Sequence, residues 1–210
     1  MSTFDCNDPD QRERGLKAAE SAARAGNLVV MPTDTVYGIG ADAFNSPAVA
    51  ALLAAKGRGR DMPVPVLVGS WNTLDGLARQ VDEVARSLIE AFWPGGLSLV
   101  IQQAPSLAWD LGDTNGTVMV RMPMHPVALD LLRTVGPMAV SSANRSGRPP
   151  ATTAAAAKEQ LGTDVAVYLD GGQAPVGVPS TIVDLTGAAP RVLREGAVSL
   201  DKIRKVVDIP

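Results

Sequence analysis

One cysteine, one histidine, three Trp, two Tyr and three Phe leave this chain short of the side chains that carry covalent, redox and metal chemistry. Cys6 has no partner for an internal disulfide and lies in a polar segment, which fits a reducing, cytoplasmic setting. One His, one Cys and no close carboxylate pair along a strand exclude a protein-built zinc site. Mg2+ stays open, because substrate phosphates and water can hold most of it. No apolar run is long enough for a bilayer, no leader pattern opens the chain, and GxxxxGK[ST] is absent. A basic excess is missing too: the net charge is −3, which argues against gripping a long nucleic-acid backbone.

What is present is an aliphatic α/β pattern. Hydrophobic residues make up 46% of the chain, an ordinary share for a packed core, and that core must be Val, Leu, Ile, Ala and Met. Residues 1–10 read as a flexible polar lead. A helix is expected over 12–25, closed by Gly26-Asn27, followed by a buried strand over 28–31 that Pro32 ends. Asn45-Ser46-Pro47 caps a second helix that stops at Gly57. Pro63 and Pro65 mark 64–68 as an edge or irregular strand. Further helices are expected over 82–93, 126–135, 153–161 and 200–206, and further strands over 97–102, 117–122, 138–140, 165–169, 181–185 and 192–194. The alternation predicts one α/β domain over 11–206, a twisted mixed sheet flanked by helices, with a short tail at 207–210.

Three stretches carry candidate chemistry. Pro32–Asp42 follows a buried strand and combines hydroxyls, two aspartates and two glycines, the composition of a crevice at a sheet's carboxyl edge. Its Gly38-x-Gly40-x-x-Ala43 matches a dinucleotide fingerprint only superficially, since the next helix begins several residues too late. Lys56-Gly57-Arg58 can fork around a phosphate or complement a helix dipole. Ser141 to Gly147 follows another buried strand and reads either as an anion nest or as a turn satisfying its own backbone. Lys56 and Ser142 also suit a Ser/Lys hydrolase, if they meet in space. His125, before a helix, reads as a capping or packing residue rather than a catalytic base.

In order along the chain stand PTDTVYGIGADA, KGR, a proline-rich strand, WPGGLSLV, TVMVRMP, SSANRSGRPP, PSTIVD and VLREG. This series resembles the YrdC-like family, the threonylcarbamoyl-AMP synthases, from about Ala18 to Ala197, with Lys-x-Arg as Lys56-Gly57-Arg58 and Ser-x-Asn as Ser142-Ala143-Asn144. The resemblance implies a cationic concave sheet face. It implies synthesis of threonylcarbamoyl-AMP and pyrophosphate from L-threonine, bicarbonate and ATP, with Mg2+ on the ATP phosphates. The product would feed a threonylcarbamoyl-transferase complex that modifies tRNA. Carried over by motif, Thr35, Arg121, Ser142, Ser180 and the position of Leu67 face threonine. Lys56, Arg58, Met62, Thr117, Val140, Asn144, Pro150 and Arg194 face ATP, with Lys56 and Arg58 as the catalytic cations. Gly59, Leu67 and Glu195 depart from residues common in the family (Pro, His and Pro), and no second domain follows, as in the family's short form. A module that grips structured RNA on the same basic concave face without chemistry is the alternative; for the synthase itself, at most a weak RNA contact is expected. No membrane association is expected.

Overall fold

Residues 1–210 are all described in the computed structural model. Ten strands form one mixed sheet in the order β1-β8-β2-β3-β7-β4-β6-β5-β9-β10. In chain order they are β1 (Ser2–Asp5), β2 (Val29–Met31), β3 (Gly38–Asp42), β4 (Val66–Leu67), β5 (Leu97–Gln102), β6 (Thr117–Arg121), β7 (Met138–Ser142), β8 (Val167–Asp170), β9 (Thr181–Asp184) and β10 (Arg191–Arg194). The helices are α1 (Pro9–Arg24), α2 (Ser46–Lys56), α3 (Leu74–Leu77), α4 (Glu83–Phe92), α5 (Pro126–Val135), α6 (Ala154–Leu161) and α7 (Leu200–Arg204). No helix is long and apolar enough to cross a membrane.

Strand periodicity sorts the side chains into two layers. Leu97, Leu99, Val118, Val120, Ala139 and Val183 point into the larger core, where α2, α4, α6 and α7 supply Leu52, Leu88, Leu161 and Ile203. Val29, Met31, Met138, Val140 and Leu169 point the other way, onto Ala19 and Ala23 of α1 and Leu131 of α5. The same alternation sends Ser98, Met119, Arg121, Val140 and Ser142 to the second face.

Several expectations need correction. The first ten residues are not a loose lead: Ser2–Asp5 adds a parallel edge strand to β8, and Asp8 caps α1 by accepting from the Asp10 and Gln11 amides. Residues 207–210 are not a free tail, since Ile209 is buried in the larger core. β4 is an interior strand between β7 and β6, only two residues long. Pro65 lacks a donor, but its carbonyl still accepts from Val140 N at 2.8 Å. Gly38 to Asp42 is a strand rather than a turn. Its glycines are required by approach, because a Cβ at Gly38 would lie 2.6 Å from Val140 Cγ1, and one at Gly40 3.1 Å from Val140 Cγ2. Ser141 and Ser142 complete β7 instead of opening a turn.

Candidate active site

A cavity of about 380 Å³ opens on the second face. That volume lies within the range of small-molecule sites. β3, β7, β4, β6, β5, β9 and β10 all contribute to it, no helix residue does, and its charged lining residues are Arg58, Arg121, Arg148 and Arg194, with no acid among them.

One corner is fully paired. Arg121 closes β6 and donates through Nε to Gly95 O (2.8 Å), through Nη1 to Thr35 Oγ1 (2.9 Å) and through Nη2 to Asp34 Oδ1 (2.6 Å). Both partners of this ion pair are buried, with side chains only 7% and 6% exposed, and the Met124 amide donates to the same Asp34 oxygen. Three of five guanidinium donors are thereby used, leaving one N–H on each terminal nitrogen for a carboxylate. Thr33 Oγ1 donates to Val36 O and accepts from the Thr35 amide, so in its 3.1 Å contact with Thr35 Oγ1 the proton comes from Thr35. Thr35 Oγ1, already accepting from Arg121, keeps a single lone pair for a ligand. In the same cavity the buried hydroxyls of Ser98 and Ser180 lie 2.8 Å apart.

The cavity's other arginines have no acid to pair with. Arg58 reaches only Ser141 Oγ at 3.2 Å, and its buried Nε has no partner. Arg194 donates to Ser180 O (2.7 Å from Nη2) and lies close enough to Arg58 for mutual repulsion. Burial pushes both guanidinium groups below their ordinary range, though an Arg stays charged. Asn144 Nδ2 donates to Arg145 O (2.9 Å) and Arg148 O (2.8 Å), leaving its buried Oδ1 without a partner.

Lys56 behaves differently from its sequence neighbour. Gly57 caps α2 at φ +66°, a left-handed turn that sends the two cations apart. Arg58 enters the cavity, while Lys56 is 1% exposed and its ammonium donates to Ser142 O and Asn144 O beneath the loop. Burial, and secondarily Arg58, lower its pKa to about 7. The expected phosphate fork is therefore not formed, and Lys56 is a buried tether, not a group at the cleft surface. It bonds Ser142 through the carbonyl, not the hydroxyl, so the Ser/Lys hydrolase arrangement is absent.

Of the residues carried over by motif, Thr35, Arg58, Leu67, Arg121, Val140, Ser142, Asn144, Pro150, Ser180 and Arg194 line this one cavity. Lys56, Met62 and Thr117 do not: Met62 is exposed on the loop before Pro63, and Thr117 sits at the far end of β6, donating to Thr114 O. His125 occupies the N-cap position of α5 with no side-chain cap bond; burial lowers its pKa, and it stands outside the cavity lining. Sequence reasoning passed over Asp34 and Ser98 as site residues. Asp34 lay inside the stretch singled out, but its partner Arg121 is 87 residues away and no local signal links the two.

Fold and site together define a mixed α/β protein with an arginine- and hydroxyl-lined cleft built on bare strand surface. The chain belongs to the Sua5/YciO/YrdC family, whose model, described as telomere recombination, matches residues 21–196. A Mycobacterium tuberculosis protein provisionally named threonylcarbamoyl-AMP synthase is 67% identical over 207 residues, covering 99% of this chain and 95% of that one. The Pyrococcus abyssi threonylcarbamoyl-AMP synthase is 39% identical over 193 residues, covering 91% of this chain and 57% of its own length. The crystal structure of Pyrococcus abyssi Sua5 complexed with L-threonine matches with a TM-score of 0.92 at 35% identity, over 100% of this chain and 63% of that one. Escherichia coli YciO shares the fold, with a TM-score of 0.83 at 24% identity over 96% of this chain and 97% of its own.

Proposed function

We propose that this protein is a threonylcarbamoyl-AMP synthase, a nucleotidyltransferase that makes threonylcarbamoyl-AMP and pyrophosphate from L-threonine, bicarbonate and ATP. The observation that carries the reading is the division of one acid-free cavity into a paired corner and an unpaired arginine wall. The corner suits a zwitterion. Two free N–H groups of Arg121 take the threonine carboxylate, and the remaining lone pair of Thr35 Oγ1 accepts from an N–H or O–H. Ser142, Ser98 and Ser180 offer hydroxyls to the side chain, and Leu67 supplies apolar wall.

The arginine wall suits a triphosphate. Arg58 and Arg194 face it, with Val140, Asn144 and Pro150 beside the nucleoside. The reaction joins the amine nitrogen to the carbon of bicarbonate with loss of water. A carbamate oxygen then attacks the α-phosphorus, and the bond to the bridging oxygen breaks as pyrophosphate leaves with the electron pair. Such chemistry needs positioning and fixed positive charge more than a covalent group. With no carboxylate lining the cavity, Mg2+ takes its ligands from phosphate oxygens and water.

Bicarbonate use, a cytoplasmic home and delivery of the product to a tRNA-modifying transferase complex follow from the same reading. A concave pocket of this size favours a small molecule over the RNA-gripping alternative. The test is purified protein with ATP, bicarbonate and threonine, following pyrophosphate by enzyme coupling and threonylcarbamoyl-AMP by mass spectrometry. Pyrophosphate release that ignores threonine would defeat the proposal.

A further inference from the structure

Two arginines sit on the loop after β7, and the structure treats them in opposite ways. Arg145 is fixed outward, its Nε donating to Gln160 O (2.8 Å) and its Nη2 to Asp164 Oδ2 (3.4 Å). Arg148, three residues on and past Gly147 at φ +80°, lines the cavity. It is exposed, and its guanidinium makes no hydrogen bond or ion pair.

Several acceptors of the loop around it are already occupied. Ser142 O and Asn144 O accept from Lys56 below. Arg145 O accepts from Asn144 Nδ2 and from the Arg148 amide, and Arg148 O from Asn144 Nδ2. With four carbonyls occupied inside the loop, the unpaired polar groups left there are the Asn144 Oδ1 acceptor and the Arg148 guanidinium, and only the guanidinium carries charge. A wall of that kind favours an anion, and a guanidinium with five free donors favours phosphate oxygens. Arg58 and Arg194, the other two cavity cations without a carboxylate partner, already repel one another, so the region holds charge that only a ligand balances.

We propose that Arg148 binds the β- and γ-phosphates of the nucleotide and neutralises the pyrophosphate as its bond to the α-phosphorus breaks. This rests on the synthase reading for its substrate. The pair on one loop provides its own control: Arg148 acts on the leaving group, and Arg145 holds the loop to α6 and its C-terminal turn.

Isothermal titration calorimetry of the full-length protein with pyrophosphate, AMP and α,β-methylene-ATP, on wild type, Arg148→Ala, Arg148→Lys and Arg145→Ala, tests the assignment. Arg148→Ala should weaken pyrophosphate and α,β-methylene-ATP binding by about 10–100-fold, the range expected for losing hydrogen bonds to a charged group, and leave AMP within about twofold. Arg148→Lys should recover part of the loss, since charge remains but the planar fork does not. Arg145→Ala should bind all three ligands as wild type does. Equal weakening of AMP and α,β-methylene-ATP would place Arg148 on the nucleoside and overturn the proposal, as would unchanged pyrophosphate affinity. Threonine-dependent pyrophosphate release by the wild type is measured in parallel. If it is absent while Arg148→Ala still loses pyrophosphate, the synthase reading fails and the anion site stands. If it is present while Arg148→Ala binds pyrophosphate normally, the reverse holds.

Discussion

The two walls of the cavity contain the same residue type in opposite states. Arg121 has a buried carboxylate, a hydroxyl and a carbonyl around it before any ligand arrives. Arg58 has one hydroxyl, an orphaned Nε and a repelling neighbour. The first is built into the fold and merely borrowed by the site. The second is a charge the fold tolerates until a polyanion balances it. Substitutions on the two walls should therefore fail in different ways.

The largest effect is expected from Asp34→Ala, which strands the Arg121 charge in a buried corner. Breaking such a pair from one side costs about 3–5 kcal/mol, read as a lowered urea midpoint. Asp34→Asn keeps an acceptor and should lose less. A midpoint within 1 M of wild type for Asp34→Ala, at an ordinary slope of about 1–3 kcal/mol/M, would mean that the corner is not pre-built.

Arg58→Ala should do the converse. Stability should stay level or rise, because an unpaired buried donor is removed. Synthase kcat/KM should fall by about 30- to 1,000-fold, equivalent to about 2–4 kcal/mol of transition-state stabilisation. An Arg58→Ala protein that unfolds early would put both arginines in one class and erase the contrast.

Lys56 tests the boundary between the walls. Its removal in Lys56→Met leaves two loop carbonyls without a donor and should cost about 1–3 kcal/mol. Because burial lowers its pKa from 10.5 to about 7, the folded protein binds fewer protons than the unfolded chain between those values. The wild type's stability advantage over Lys56→Met should therefore shrink as pH falls from about 10.5 toward 7, then level off. Denaturant midpoints at pH 7, 8.5 and 10 measure this, and a flat difference would show Lys56 to be charged throughout.

The last comparison concerns the amino acid itself. Serine, lacking one methyl, should lose roughly 10–200-fold in kcat/KM, and valine more, since it leaves the paired corner or the Ser98–Ser180 hydroxyls unmatched. Valine equal to serine in a pyrophosphate-release assay would mean that shape alone is read.

Local signals were legible where local chemistry decides. Asn45-Ser46-Pro47 and Gly57 bracket α2, and Asn45 does accept from the Ala48 amide. The motif stretches converge because all but Lys56-Gly57-Arg58 border or contain strands of one sheet, and ten of the thirteen site positions carried over with them line one cavity. What stayed hidden depends on distance. Asp34 meets Arg121 across 87 residues, and nothing in either neighbourhood announces the pair. Ser2–Asp5 becomes a strand only because β8 has an open edge beside it. Lys56 and Arg58, read as one unit, are separated by a single left-handed glycine.

Gly38 and Gly40 extend that last lesson from direction to volume. Neither has a side chain to offer a ligand, yet their missing carbons let Val140 settle against the strand, and at Gly38 the cavity lining is bare backbone. The pocket is thus partly a mould formed by omission. One added methyl at Gly38 meets Val140 before it meets substrate, so it deforms the vessel while leaving every reactive group in the inventory. An inventory of reactive side chains passes over such positions, because their contribution is the space they decline to fill.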